Sequence, residues 1–233
     1  MDKLVYDELA NNGIEYSLFY DIQANPTVKQ VEDGLKVYKE NNCDCIVVIG
    51  GGSAIDAAKI IGARATNNKP ISKMKGLLKI TRKLPLLIAI PTTAGTGSET
   101  TLAAVISNPD TKEKFPIEDP HIIPKYAILN PKLLVNLPSH ITSTTGMDAL
   151  THAVEAFIGR SNVKSTEDAA LKATKLIFEN IEKVYEDGKN IEARENMLVA
   201  SFHAGLAFTR AYVGYVHAIA HNLGGMYNIP HGL

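Results

Sequence analysis

The chain has 233 residues, 45% hydrophobic and 21% charged, proportions of a soluble globular fold rather than a disordered or membrane-embedded one. Lys+Arg 24 against Asp+Glu 25 give a net charge of −1, and nowhere do basic residues cluster with aromatics, so nucleic acid is not an expected partner. The opening MDKLVYDELANN has no apolar signal core and no run reaches membrane-spanning length, so a cytoplasmic protein without a membrane partner is expected.

In chain order, residues Lys3 to Asn11 read as a helix stopped by Asn12-Gly13, and Tyr16 to Tyr20 as a short strand. Val28 to Asn41 has the spacing of an amphipathic helix, with Val28, Val31, Leu35, Val37 and Tyr38 on its apolar face. Cys43 and Cys45 share a face two residues apart, a poor disulfide geometry, so both are expected reduced and structural. Cys45 to Ile49 is a continuous β-branched run broken by Gly50-Gly51-Gly52-Ser53, and Ala54 to Ala65 is again helical. Leu86 to Ile90 repeats the strand signal and stops at Pro91. Strands alternating with helices, and apolar on both faces, predict a parallel sheet with covering helices.

Two further short strands are expected at Ala103 to Ser107 and Tyr126 to Leu129, around the polar turn Asn108-Pro109-Asp110. After Pro138 helical patterning takes over, through Met147 to Phe157, Asp168 to Tyr185, Ala193 to Ala211 and Val216 to Met226. The expected organisation is therefore an α/β domain over 1–137 and an all-helical domain over 138–233.

Gly50-Gly51-Gly52-Ser53 lies between a strand and a helix, where a helix N-terminus can hold an anion. Ser53 can cap that helix, and Asp56 either favours the helix dipole or reaches a ligand hydroxyl or amide. The run also suits an ordinary tight turn, and it is not the G-x-G-x-x-G fingerprint. Pro91 to Glu99, reading PTTAGTGSE, puts hydroxyls and small residues at the carboxyl end of the next strand, where ligands collect in parallel sheets.

Asp148 and His152 stand four apart on one helical face, as do His217 and His221, and Pro230-His231-Gly232 adds an imidazole just beyond Gly224-Gly225. An i,i+4 pair alone is usually a surface contact. Three histidines on a helix and the turn after it are harder to explain as separate core residues. One carboxylate with up to three imidazoles and no thiolate suits an open catalytic site for a divalent metal such as iron or zinc. His121, His140 and His203 have no such context.

These motifs together resemble the iron-containing alcohol dehydrogenase family. The matching text is GGGSAIDAAK (Gly50 to Lys59), PTTAGTGSE, GMDALTHAVEAF (Gly146 to Phe157) and HAIAHNLGGMYNIPHG (His217 to Gly232). Shorter agreement lies at Asn25-Pro26-Thr27, Lys114-Phe115 and Ala204 to Phe208. The resemblance implies a Rossmann-like parallel-sheet domain followed by a dehydroquinate synthase-like helical domain, with the cleft between them. It implies a metal, Fe2+ or alternatively Zn2+, held by Asp148, His152, His217 and His231, with His221 beside substrate and nicotinamide as the catalytic proton carrier. It places Asn25, Gly51, Gly52, Ser53, Asp56, Thr92, Thr93, Thr96, Lys114 and Leu133 at the cofactor, NAD or NADP.

The implied reaction is reversible hydride transfer between a small alcohol and its aldehyde or ketone. A zinc-dependent relative such as a glycerol dehydrogenase, or a non-catalytic fragment, is the alternative. Members of the family begin with one more βα unit, which reads the adenosine ribose, and continue with more helices. The chain is thus expected to be truncated at both ends and to self-associate as a homo-oligomer. Ala103 and Asn130 stand where many relatives have Asn and Asp.

Overall fold

The first helix, α1 (Lys3–Asn11), ends at the left-handed Gly13. The computed structural model describes residues 3–227, Ile229 and residues 231–232, so Pro230 of the Pro-His-Gly turn lies outside the described residues. The segment expected as a strand, Tyr16 to Tyr20, forms none. Its apolar alternation is that of a strand, but among the described residues no ladder partner pairs with it, and Tyr16, Leu18 and Tyr20 are exposed.

Helix α2 (Val28–Glu40) opens with a capping box: Thr27 Oγ1 accepts from Gln30 N (3.2 Å) and Gln30 Oε1 accepts from Thr27 N (3.0 Å). It buries Val31 and Leu35. Strand β1 (Cys45–Gly50) then runs into α3 (Gly52–Thr66), whose Ile55, Ile60 and Ala63 are fully buried. After β2 (Gly76–Leu77), β3 (Leu86–Pro91) pairs in parallel with β1, Val47 opposite Ile88, and on its other side with β6 (Tyr126–Ala127). The expected parallel sheet is present. However, β1 is its edge, with Cys45 and Val47 exposed and Val48 buried, so only one face of that strand is covered. Both cysteines are free.

A second sheet, of order β2-β5-β4, joins β4 (Ala103–Asn108) antiparallel to β5 (Glu113–Glu118). The sequence pattern did not disclose β5, because its strand EKFPIE carries charges and Pro116. That proline is tolerated because β2 pairs only with Ile117 and Glu118, leaving Pro116 bonded on one side alone.

Four helices follow: α4 (Ser139–Ile158), α5 (Lys164–Glu186), α6 (Ile191–Ala211) and α7 (Tyr215–Tyr227). Alanines dominate where the first three meet, among them Ala149, Ala153, Ala170, Ala173, Ala200 and Ala204, all fully buried, so the helix axes approach closely. Arg194 is also buried and fastens the start of α4 to the α5–α6 turn. Its guanidinium donates to Thr142 Oγ1 (2.8 Å), Gly188 O (2.9 Å) and Leu137 O (3.3 Å). Among the described residues, no helix is long and apolar enough to cross a membrane.

Candidate metal and cofactor site

The glycine run places the start of α3 against the loop that follows β3. Gly51 is the N-cap and no side chain bonds there, which corrects the expectation that Ser53 caps: Ser53 lies inside the helix and its hydroxyl accepts from Asn25 N (3.3 Å). The N-terminus of α3, with its partial positive charge, therefore lines a cavity of about 690 Å³ together with Thr93, Thr96 and Ser53. The two loops leave no room for larger residues. A Cβ on Gly52 would fall 2.6 Å from Thr96 Cγ2.

Several expected cofactor residues sit otherwise than as free ligand groups. Asp56 is spent on the protein: Oδ1 accepts from Ser98 Oγ (2.6 Å) and Oδ2 from Val105 N (2.9 Å), tying the PTTAGTGSE loop and β4 to α3. Burial pushes its carboxyl pKa upward, and the charge of Lys59 and these hydrogen bonds only partly offset that. Thr92 donates its N–H to Gly50 O (2.9 Å). Leu133 is buried in the helical core. Asn25 and Lys114 do come together, Nζ donating to Asn25 Oδ1 (2.7 Å), with Asn25 held in the left-handed region (φ 58°).

The second constellation forms on α4 and α7. Asp148 Oδ1 lies 3.5 Å from His217 Nε2, 3.6 Å from His231 Nε2 and 3.9 Å from His152 Nδ1. Ligand atoms of Asp148, His217 and His231 all lie within 4.8 Å of one another. His152 stands at the edge of this group, stacked between His217 (4.2 Å between ring centroids) and Phe208 (4.1 Å). The chain brings His231 in through Gly232, where a Cβ would fall 2.5 Å from Thr144 O on α4. His221 is exposed and stacks on His231 at 4.9 Å.

Two buried nitrogens, His152 Nδ1 and His217 Nε2, have no hydrogen-bond partner among the described residues. An orphaned buried nitrogen is costly unless something absent from the protein satisfies it. Donors about 2.1 Å from a tetrahedral ion stand about 3.4 Å apart, close to the separations around Asp148. Asp148, His217 and His231 thus fit a divalent first-row metal, with the buried His152 nitrogen bordering them. Burial pushes the His152 imidazole down to about 4, leaving it neutral with a lone pair to offer. Burial alone would raise the Asp148 carboxyl, but the three histidines around it outweigh that and hold it below the usual range.

The two sites share one segment. The Gly95 backbone acts on the His152 imidazole, raising its pKa against the effect of burial, and that loop also supplies Thr93 and Thr96 to the larger cavity. Lys114 is close enough for its charge to act on both His221 and His231. A second cavity, of about 390 Å³, opens beside Asp148, His217 and His231, with Met147, Val216 and Ala220 in its wall. His121, His140 and His203 stay outside the group: His121 pairs with Asp119 (2.8 Å), His140 is exposed and His203 rests edge-on to Phe202.

Sequence reasoning missed Glu155, Lys59 and Glu99. Lys59 is fully buried and donates to Thr101 O (2.9 Å), Thr101 Oγ1 (3.0 Å) and Ala103 O (2.8 Å). Burial lowers its pKa to about 8, and burial raises that of Glu99 to about 7. The Glu99 shift gives stability that is full below pH 4.5 and is lost as pH rises to about 7, since the folded state binds the extra proton in that window. Replacing Glu99 by Gln is therefore expected to gain about 3 kcal/mol on the wild type between pH 4.5 and 8. Urea unfolding of both proteins at the two pH values measures it, and an unchanged difference refutes it.

A strand-turn-helix unit at a parallel sheet and a carboxylate-imidazole cluster on the helical part thus occur in one chain. The sequence model of the iron-containing alcohol dehydrogenases matches residues 2–131, and that of the C-terminal part of the Fe-containing family matches residues 142–233. The chain belongs to the iron-containing alcohol dehydrogenase family. It is 44% identical over 225 residues to a 1,3-propanediol dehydrogenase of Klebsiella pneumoniae, covering 97% of this chain and 58% of that one. It is 42% identical over 231 residues to an NAD-dependent methanol dehydrogenase of Bacillus methanolicus, covering 97% and 61%. The crystal structure of a 1,3-propanediol oxidoreductase superposes with a TM-score of 0.96 at 44% identity, covering 99% of this chain and 60% of the other. The chain thus spans about 60% of the length of these relatives.

Proposed function

We propose that this chain carries the reaction centre of an NAD(P)-linked alcohol dehydrogenase that acts reversibly on short alcohols. The observation that supports it most is the convergence of His152, His217 and His231 on one Asp148 oxygen, with two buried ring nitrogens left without partners. Asp148, His152, His217 and His231 would hold the ion, with ferrous iron favoured by the family and zinc the alternative. When bound, such an ion supplies Lewis acidity that eases loss of the alcohol proton.

The chain's own residues do the rest. Asp148 brings the negative charge and the imidazoles bring neutral lone pairs. The α3 N-terminus, with Gly51, Gly52 and Ser53, offers N–H groups to a pyrophosphate, and Thr93 and Thr96 close the opposite wall. Thr92, Asp56 and Leu133 support that wall from behind, while Asn25 and Lys114 latch its rim. His221, exposed and stacked on His231, carries the proton to solvent. NAD is the favoured cofactor, because a relative is named for it. The relatives named for methanol and 1,3-propanediol, together with the 390 Å³ cavity, favour an alcohol of one to a few carbons. Reduced cysteines fit a cytoplasmic setting, and the open edge of β1 fits self-association. We place the division between the two domains at 137/138.

The test is cofactor reduction by the ferrous-loaded protein with C1 to C4 alcohols. Reduction of NAD+ or NADP+ is expected, and none with any of these alcohols overturns the proposal. Replacing His221 by Ala should leave the metal content intact and lower kcat by about 10²-fold. Loss of the metal instead makes His221 a ligand.

A further inference from the structure

We propose that Glu155 is the positioning residue of the metal site: it orients His217 and locks α7 in place. This rests on the metal-site reading above. Glu155 is 6% exposed and lies on the same face of α4 as Asp148 and His152, seven and three residues further along. It is not itself among the converging ligand atoms.

Its carboxylate gathers three donors from one short stretch. Oε2 accepts from Gly214 N (2.8 Å), Oε1 accepts from Val216 N (2.7 Å), and Oε2 lies 2.6 Å from His217 Nδ1. A carboxylate has only acceptors to offer, so the third contact requires the proton on Nδ1. The lone pair of a neutral His217 is then on Nε2, the partnerless atom 3.5 Å from Asp148 Oδ1. With His217 neutral, two acceptors would face each other across that gap, an arrangement that a cation between them converts from repulsion to attraction. A carboxylate behind a metal-bound imidazole fixes its tautomer and ring orientation in this way.

The backbone carries the same message. Between α6 and α7, Tyr212 adopts φ 66°, ψ −179°, a region that side-chain-bearing residues rarely occupy. Such a joint persists only where its surroundings hold it, and the two backbone bonds to Glu155 begin two residues later. The joint sets where α7 starts, and the start of α7 sets where His217 points.

A helix cap alone would also use the two backbone bonds. The Glu155→Gln variant tests the second role: its single amide oxygen keeps the Val216 N–H bond, while the amide group in the place of Oε2 gives up the Gly214 bond and reverses the preference at Nδ1. We expect the variant to keep the thermal midpoint of the metal-free protein within a few degrees and to bind Co2+ about 10–100-fold more weakly, by chelator competition. Wild-type affinity in the folded variant overturns the proposal. Should the variant not fold, 15N NMR of the Zn2+-loaded wild type decides. A His217 Nδ1 proton shifted downfield by its carboxylate partner supports the assignment, and metal bound through Nδ1 overturns it. A wild-type chain that binds neither ion overturns the metal-site reading itself, and this proposal falls with it.

Discussion

Replacing Asp148 by Ala is expected to weaken ferrous binding by about 10²–10³-fold or more, taking a site of about 10–16 kcal/mol shared over four ligands. The residue is the only carboxylate in the converging set, and each of the three imidazoles approaches its Oδ1 within 4 Å. Its loss leaves three neutral donors and no charge to offset the divalent ion. Anaerobic titration with metal analysis measures the effect: about one ion per wild-type chain, and no stoichiometric ion in the variant. A variant that retains one equivalent would show that the histidines bind without it and would remove Asp148 from the ligand set.

Replacing Gly97 by Ala is expected to cost about 2–4 kcal/mol, from a backbone strain of about 1 kcal/mol and overpacking of about 1–3 kcal/mol. Gly97 sits at φ 59°, and an added Cβ would lie 2.8 Å from Gly205 Cα and 3.1 Å from Ser201 O, backbone atoms of α6 that cannot turn aside. Gly13 is the matched control, with φ 65° but nothing within 4 Å of an added Cβ, so its Ala variant should show the strain alone. Urea midpoints of the two variants measure the difference. Equal midpoints would mean that the loop and α6 can separate freely.

The elements most legible in the sequence were those whose signal is local. Cys45 to Ile49 and Leu86 to Ile90 announce strands by β-branched runs, and the i,i+4 pairs on α4 and α7 announce a cluster by helical period. Tyr16 to Tyr20 carried an equally local signal and misled, because a strand also needs a neighbour to pair with. The start of α4 was read eight residues late, since Thr142 to Thr145 look unlike a helix. Their hydroxyls are accommodated there, with Thr144 and Thr145 bonding back to the His140 and Ile141 carbonyls.

Roles that depend on distant partners were not legible. Asp56 reads as a residue free to meet a ligand until Ser98 and Val105, 42 and 49 residues away, take both its oxygens. Glu155 stands in the same helical period as Asp148 and His152, so its face could be read. Its task could not, since Gly214 and His217 lie 59 and 62 residues further on.

The loop from Pro91 to Glu99 reaches three places: Thr93 and Thr96 line the larger cavity, the Gly95 backbone acts on His152, and Gly97 abuts α6. A segment so placed is a poor target for piecemeal redesign. A substitution at Thr93 or Thr96 stands next to Gly95 and Gly97, so it bears on His152 and on the α6 contact as well as on the cavity wall. The Asn25–Lys114 latch lies off this loop, yet the Lys114 charge also reaches His221 and His231, so it too bears on both places.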